Sequence, residues 1–184
     1  MKEIYCQNFY DIITPPNKKE LLEKLSNISK SRDQFFSWKT GCNVETERIE
    51  KSEVSNLISP SVHVFLRNFK FIKTIDVELV DVWKNVYGKG CFQEIHDHID
   101  DCDFSSVLFM NEPSENFGKF YFYNRNITEI SQSWRKLLFP YGYNKIIEPQ
   151  KGDILFFPSH MLHGVIPHKS NKTRTTFTFN FKFM

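Results

Sequence analysis

The feature that most constrains this chain is a change of pattern near residue 75. Beyond that point the sequence breaks into short runs of β-branched and aromatic residues separated by turn formers. The runs are DVELVDVWKNVY (76–87), CFQEIH (91–96), FSSVLFMN (104–111), GKFYFYN (118–124), NKIIEP (144–149), GDILFFP (152–158), HGVIP (163–167) and RTTFTFNFK (174–182). Such residues suit a half-buried pleated surface. Most of the runs have no helical signal between them. Eight short antiparallel strands in one small domain predict a mainly β fold, a double-sheet jelly roll.

The first 75 residues read differently. Pro15-Pro16-Asn17 is a stop followed by a helix N-cap, after which Leu21, Leu22, Leu25 and Ile28 recur at helical spacing. A second helical stretch follows Pro60, with Val62, Phe65, Leu66 and Phe69 on one face. The expected organisation is a single domain over 1–184. Residues 1–75 form a mainly helical support bracing one sheet from outside, and 76–184 form the jelly-roll core. The longest irregular segment, 125–143, carries Trp134, Pro140, Tyr141 and Tyr143 and is expected to act as a lid.

Composition removes several function classes. The net charge of +2 is small and the basic residues are scattered, so nothing marks a nucleic-acid binder. No apolar run approaches the roughly 20 residues that span a bilayer. Cys6, Cys42, Cys91 and Cys102 form no CxxC pair, which argues against a structural zinc knuckle or a thioredoxin-like site. The N-terminal segment lacks the apolar core of a signal peptide, and a cytoplasmic protein with reduced thiols is expected. Oligomeric state is not written in the sequence, and the only partner implied is a substrate, either protein or small molecule.

The chemical signal lies in QEIHDHIDD, where His96, His98 and Asp100 are spaced by two. In an extended chain such side chains project to one face and can share a metal. A third ligand must come from elsewhere, and His163 opens the seventh strand. In a jelly roll the second and seventh strands pair, so His98 and His163 meet at the barrel mouth. Two imidazoles and a carboxylate form the facial triad that holds iron(II) and leaves positions for a cosubstrate and O2. Arg174 begins the last strand, with Thr176 and Thr178 on its face. A guanidinium clamps a carboxylate bidentately and a hydroxyl adds a hydrogen bond. Asn85 and Tyr87 alternate on the first strand and are placed to reach the same cosubstrate.

Plainer readings exist for each element. DHIDDCD also reads as a solvated acidic turn, and Arg174 could make a surface ion pair. His160, three residues before His163, suits packing or support of the ligands, and His63 and His168 have no metal role. Phe177, Phe179, Phe181 and Phe183 oppose the threonines and are expected in the core.

The segments GCFQEIHDHIDDCDFSSVLFMN, IIEPQKGDILFFPSHMLHGVIP and RTTFTFN together resemble the 2-oxoglutarate/Fe(II) oxygenases, especially short bacterial and phage-type members. The likeness covers roughly 78–182. It implies a double-stranded β-helix fold with iron(II), 2-oxoglutarate and O2, His163 as the distal ligand and Arg174 as the cosubstrate clamp. By register with the short members the proximal pair is His96 and His98. By the wider H-x-D pattern it is His98 and Asp100. The leading expectation is a dioxygenase that couples oxidative decarboxylation of 2-oxoglutarate to C–H hydroxylation. The alternatives are a cupin-like three-histidine metalloenzyme that does not use 2-oxoglutarate, and a catalytically silent jelly roll used for binding.

Overall fold

The computed structural model describes residues 8–28, 34–36, 42–69, 75–125, 131–137 and 144–184. In chain order the elements are β1 (Asp11–Ile13), α1 (Lys18–Ser26), β2 (Gln34–Phe36), β3 (Glu45–Arg48), α2 (Lys51–Leu66), β4 (Val77–Tyr87), β5 (Gln93–His96), β6 (Phe104–Phe109), β7 (Phe120–Tyr123), α3 (Gln132–Leu137), β8 (Asn144–Ile147), β9 (Ile154–Pro158), β10 (His163–Val165) and β11 (Arg174–Phe183). Each of the eight runs read from the sequence forms a strand, β4 to β11.

The strands make two antiparallel sheets. The larger has the order β1-β9-β6-β11-β4-β3-β2 and the smaller β5-β10-β7-β8. This is the jelly-roll core. The segment before residue 75 does more than brace it: β1 pairs with β9, and β3 pairs with β4 and β2. Both edges of the larger sheet therefore come from the N-terminal segment.

The helices cover the outer face of that sheet. Phe177, Phe179 and Phe181 of β11 point outward with Phe104, Leu108, Ile154 and Phe156. They pack beneath Leu21 and Leu25 of α1 and Val54, Ile58 and Phe65 of α2. Phe65 stacks on Phe156 with centroids 4.7 Å apart. Each such buried side chain contributes roughly 1.5–3 kcal/mol. Phe183 departs from this pattern. It lies at the end of β11, 44% exposed, with its ring 5.3 Å from that of Phe104.

Two local expectations need correction. Asn17 makes no side-chain cap; its amide Nδ2 instead donates to the Leu57 carbonyl at 3.0 Å and ties α1 to α2. Pro60 does not start the second helix. It lies inside α2, which begins at Lys51. Its missing N–H removes one intrahelical bond, and the apolar face from Val54 to Phe65 holds the helix across the gap.

Within the segment expected to be a lid, α3 is described and Trp134 is 59% exposed; residues 126–130 and 138–143 lie outside the described residues. Cys42, Cys91 and Cys102 are buried thiols in no disulfide, and Cys6 lies outside the described residues. Among the described residues no helix is long and apolar enough to cross a membrane.

Candidate metal and cosubstrate site

Between the sheets lies a cavity of about 390 Å³. Its floor is the inner face of the larger sheet, and strand register sets it out in rows. Arg174 lies opposite Tyr87, Thr176 opposite Asn85, Thr178 opposite Trp83 and Asn180 opposite Asp81. All eight residues line the cavity. Their outward neighbours on β11 are the phenylalanines of the helix-covered core. The alternation of RTTFTFN thus puts polar side chains inside and aromatic ones outside.

The smaller sheet supplies the histidines. His96 ends β5 and His163 opens β10, and the two are direct antiparallel partners. His98 follows the strand and is clipped to the segment after β9, its backbone N–H donating to the Ser159 carbonyl at 2.9 Å. One nitrogen each from His96, His98 and His163 lies within 4.8 Å of the others. The Nδ1 atoms of His96 and His163 lie 2.8 Å from the Glu94 and Met161 carbonyls. A carbonyl only accepts, so in both rings Nδ1 carries the proton and Nε2 keeps its lone pair for a metal.

The surroundings of His98 and His163 keep those two rings neutral. His163 is enclosed by Phe120, stacked at 5.3 Å, and Phe157, edge-on at 4.8 Å. Burial first, then the neighbouring His96 and His98, push its pKa well below the usual imidazole value. Burial and His96 lower His98 to about 4. Neutral imidazoles are what a divalent metal requires as ligands.

Asp100 does not join the group. The chain turns after His98, whose carbonyl accepts from Asp101 N at 3.0 Å and Cys102 N at 3.1 Å. That turn breaks the extended geometry that a shared face requires, and Asp100 stands exposed on it. The structure therefore assembles His96, His98 and His163, and not His98, Asp100 and His163. His160 is exposed at the surface. His168 is buried, 2.7 Å from the Lys172 carbonyl through Nε2 and accepting from Gly118 N through Nδ1, which makes it a loop strut.

At the other end of the floor, Arg174 is 5% exposed, and its Nη1 is buried without a hydrogen-bond partner. Its guanidinium lies 4.6 Å from the Tyr87 ring and 5.5 Å from Phe109. Burial lowers its pKa, and the adjoining Tyr87 opposes the shift. A buried cation with an orphaned N–H calls for an anionic partner. Tyr87 is buried too, which raises its pKa, and its hydroxyl donates to Gln93 Oε1 at 2.6 Å. Asn85 is already engaged: Oδ1 accepts from Thr46 at 2.9 Å and Nδ2 donates to Thr178 at 3.2 Å. It ties β3, β4 and β11 together, one row from the Arg174–Tyr87 pair. The position of Tyr87 follows from strand parity with Asn85 once Arg174 is known to face inward. Nothing in the local sequence marked Gln93, Trp83 or Asp81 as cavity residues.

The donor set fits iron(II) and a carboxylate cosubstrate: three clustered imidazoles and a guanidinium with an unpartnered Nη1 share a single cavity. A family model described as "Putative 2OG-Fe(II) oxygenase" matches residues 81–180. No curated protein matches the chain in sequence. Among solved structures, the chain is similar to a prolyl-4-hydroxylase from Pseudomonas putida, with 15% identity, 95% of this chain and 92% of that one covered, and TM-score 0.60. It is similar also to the viral collagen prolyl hydroxylase of Paramecium Bursaria Chlorella virus-1 in its 2-oxoglutarate complex, with 19% identity, coverage of 95% and 96%, and TM-score 0.59. A third is HygX from Streptomyces hygroscopicus with nickel, 2-oxoglutarate and hygromycin B bound, with 11% identity, coverage of 95% and 82%, and TM-score 0.65. At these identities the likeness is one of fold.

Proposed function

Because this chain belongs to the 2OG-Fe(II) oxygenase family, we propose that it is a hydroxylase whose iron is held by His96, His98 and His163 and whose 2-oxoglutarate is clamped by Arg174. The family uses iron(II), 2-oxoglutarate and O2. When bound, they supply the oxidative decarboxylation of 2-oxoglutarate to succinate and CO2 and the oxidation of a substrate C–H bond.

The chain's own residues do the holding and shielding. The Glu94 and Met161 carbonyls fix the tautomers of His96 and His163, so that both present Nε2. Arg174 and the Thr176 hydroxyl receive the distal carboxylate, and the orphaned Nη1 gains a partner by doing so. Tyr87, locked to Gln93, forms the wall beside that carboxylate and links the clamp to β5, the strand that carries His96. Phe120, Val107 and Val165 line the cavity between the two ends and keep water from it.

The single observation behind this reading is the buried, unpartnered Nη1 of Arg174 in the cavity that the three imidazoles share. An all-histidine set also suits a dioxygenase that dispenses with 2-oxoglutarate, but such an enzyme leaves Arg174 without purpose. Fe(II)-dependent succinate formation from 2-oxoglutarate under O2 tests the proposal, together with His98→Ala and His163→Ala. Loss of both iron binding and turnover is expected in each variant. Retained turnover in both contradicts the assignment.

A further inference from the structure

The cavity floor is longer than the clamp and the histidines need. Arg174 and Asn180 are six residues apart on one strand, roughly 20 Å at the usual rise. The far end is built from Asp81, Trp83 and Asn180, with Asp101 of the turn after His98 at its edge. Asn180 Oδ1 accepts from Ser105 at 2.9 Å, which fixes the amide.

This end already holds a guanidinium. Arg48 of β3 lies opposite Trp83, its Cζ 5.3 Å from the ring centroid. Its Nη2 donates to Asp81 Oδ1. The Arg48 side chain is 57% exposed and does not line the cavity, whereas Asp81 and Trp83 do. Arg48 thus covers their outer edge and sets the Asp81 rotamer. Among the described residues the Asp101 carboxylate has no ion-pair partner. Among the described residues the only charged cationic side chain lining the cavity is Arg174, at the opposite end. Arg48 offsets part of the Asp81 charge from outside, so within the cavity the indole face, the second Asp81 oxygen and the Asp101 carboxylate attract a cation and repel an anion. A recognition role for Arg48 toward an anion is disfavoured, because its guanidinium is committed to Asp81 and lies outside the cavity.

We propose that this end is the substrate's recognition subsite and that it takes a cationic group, a guanidinium or primary ammonium, between the Trp83 face and the carboxylates of Asp81 and Asp101. The inference rests on the oxygenase reading above, since the bound cation then presents a neighbouring C–H toward the histidines. The substrate class is an amine or guanidine compound, or an arginine or lysine side chain.

The test uses the full chain loaded with Mn(II) and 2-oxoglutarate, with agmatine and cadaverine as cationic probes and hexanoate as the anionic control. Binding is read as a thermal shift. Both cations should raise the melting temperature while hexanoate does not. Asp81→Asn and Asp101→Asn should each weaken the cations about tenfold, the worth of one charge-assisted hydrogen bond. The Mn(II)/2-oxoglutarate shift itself should persist in Asp101→Asn, which sits on an exposed turn and serves if Asp81→Asn fails to fold. If Mn(II) and 2-oxoglutarate fail to stabilise the unaltered chain, the oxygenase reading falls. If they stabilise it but cations bind no better than hexanoate, or bind Asp101→Asn and Asp81→Asn as tightly as the unaltered chain, the subsite is overturned and the oxygenase reading stands.

Discussion

Replacing Arg174 with leucine should have opposite consequences for the empty protein and for cosubstrate binding. The guanidinium is buried with Nη1 unpartnered, a cost on the order of 1–3 kcal/mol. Its contacts with the Tyr87 and Phe109 rings, at 4.6 and 5.5 Å, offset about 0.5–2 kcal/mol of that. The two nearly cancel. Leucine fills much of the same apolar space, so the metal-free Tm should move by no more than about 5 °C in either direction. Binding is another matter. A carboxylate paired with Arg174 in a water-poor cavity loses about 3–5 kcal/mol when its partner is removed, a factor of roughly a few hundred to a few thousand in Kd. The assay is anaerobic titration of 2-oxoglutarate into Mn(II)-loaded protein, with melting of the metal-free form alongside. A Kd that changes by less than about tenfold refutes the clamp. A collapse of metal-free stability refutes the argument that the Arg174 Nη1 lacks a partner without its ligand.

Two further outcomes follow from the geometry. The metal-free protein should lose stability as pH falls from 6.5 toward 4. His98 has its pKa lowered to about 4 in the fold, so the unfolded chain binds the extra proton over that window. The shift corresponds to about 3 kcal/mol for His98 alone, and His163 adds in the same direction. Urea unfolding at several pH values should show the loss, reduced in His98→Gln; equal pH dependence in the two proteins would remove the cause. Gly164→Ala should misalign the site. A Cβ there meets the Tyr121 hydroxyl at 2.8 Å and the Gln93 carbonyl at 2.9 Å, forcing β5 away from β10 where His96 faces His163. Destabilisation of about 1–3 kcal/mol together with weaker Mn(II) binding is expected, read by melting and metal titration. Normal metal affinity would mean that β10 has room to adjust.

The eight core strands were legible because each carries β-branched or aromatic residues over at least one full alternation and all but the last end at a turn former. The edge strands were not. β1 and β2 have three residues each and β3 is the charged tetrapeptide ETER, too short or too polar to display a period. β3 takes its place through pairing with β4 and through the bond from Thr46 to Asn85, which are long-range facts. The first half of α2 was hidden by Pro60, which reads as a boundary locally but is carried by burial of the apolar face. In the site, spacing and resemblance singled out His98, His163 and Arg174, which the fold brings to one cavity. The choice between His96 and Asp100 was not legible, because period two places both on one face if the chain stays extended. The turn that closes on the His98 carbonyl carries Asp100 to an exposed position and leaves His96 in the cluster with His98 and His163. The far end of the cavity was illegible for another reason: Asp81 and Trp83 become neighbours of Asn180 and Thr178 only through the β4–β11 register.

An all-histidine metal site is tested most directly by titration of Mn(II) into the unaltered chain and into His96→Ala, His98→Ala, His163→Ala and Asp100→Ala. Binding should be lost or reduced at least about tenfold in all three histidine variants and unchanged in Asp100→Ala. Loss of binding in Asp100→Ala with retention in His96→Ala would contradict it.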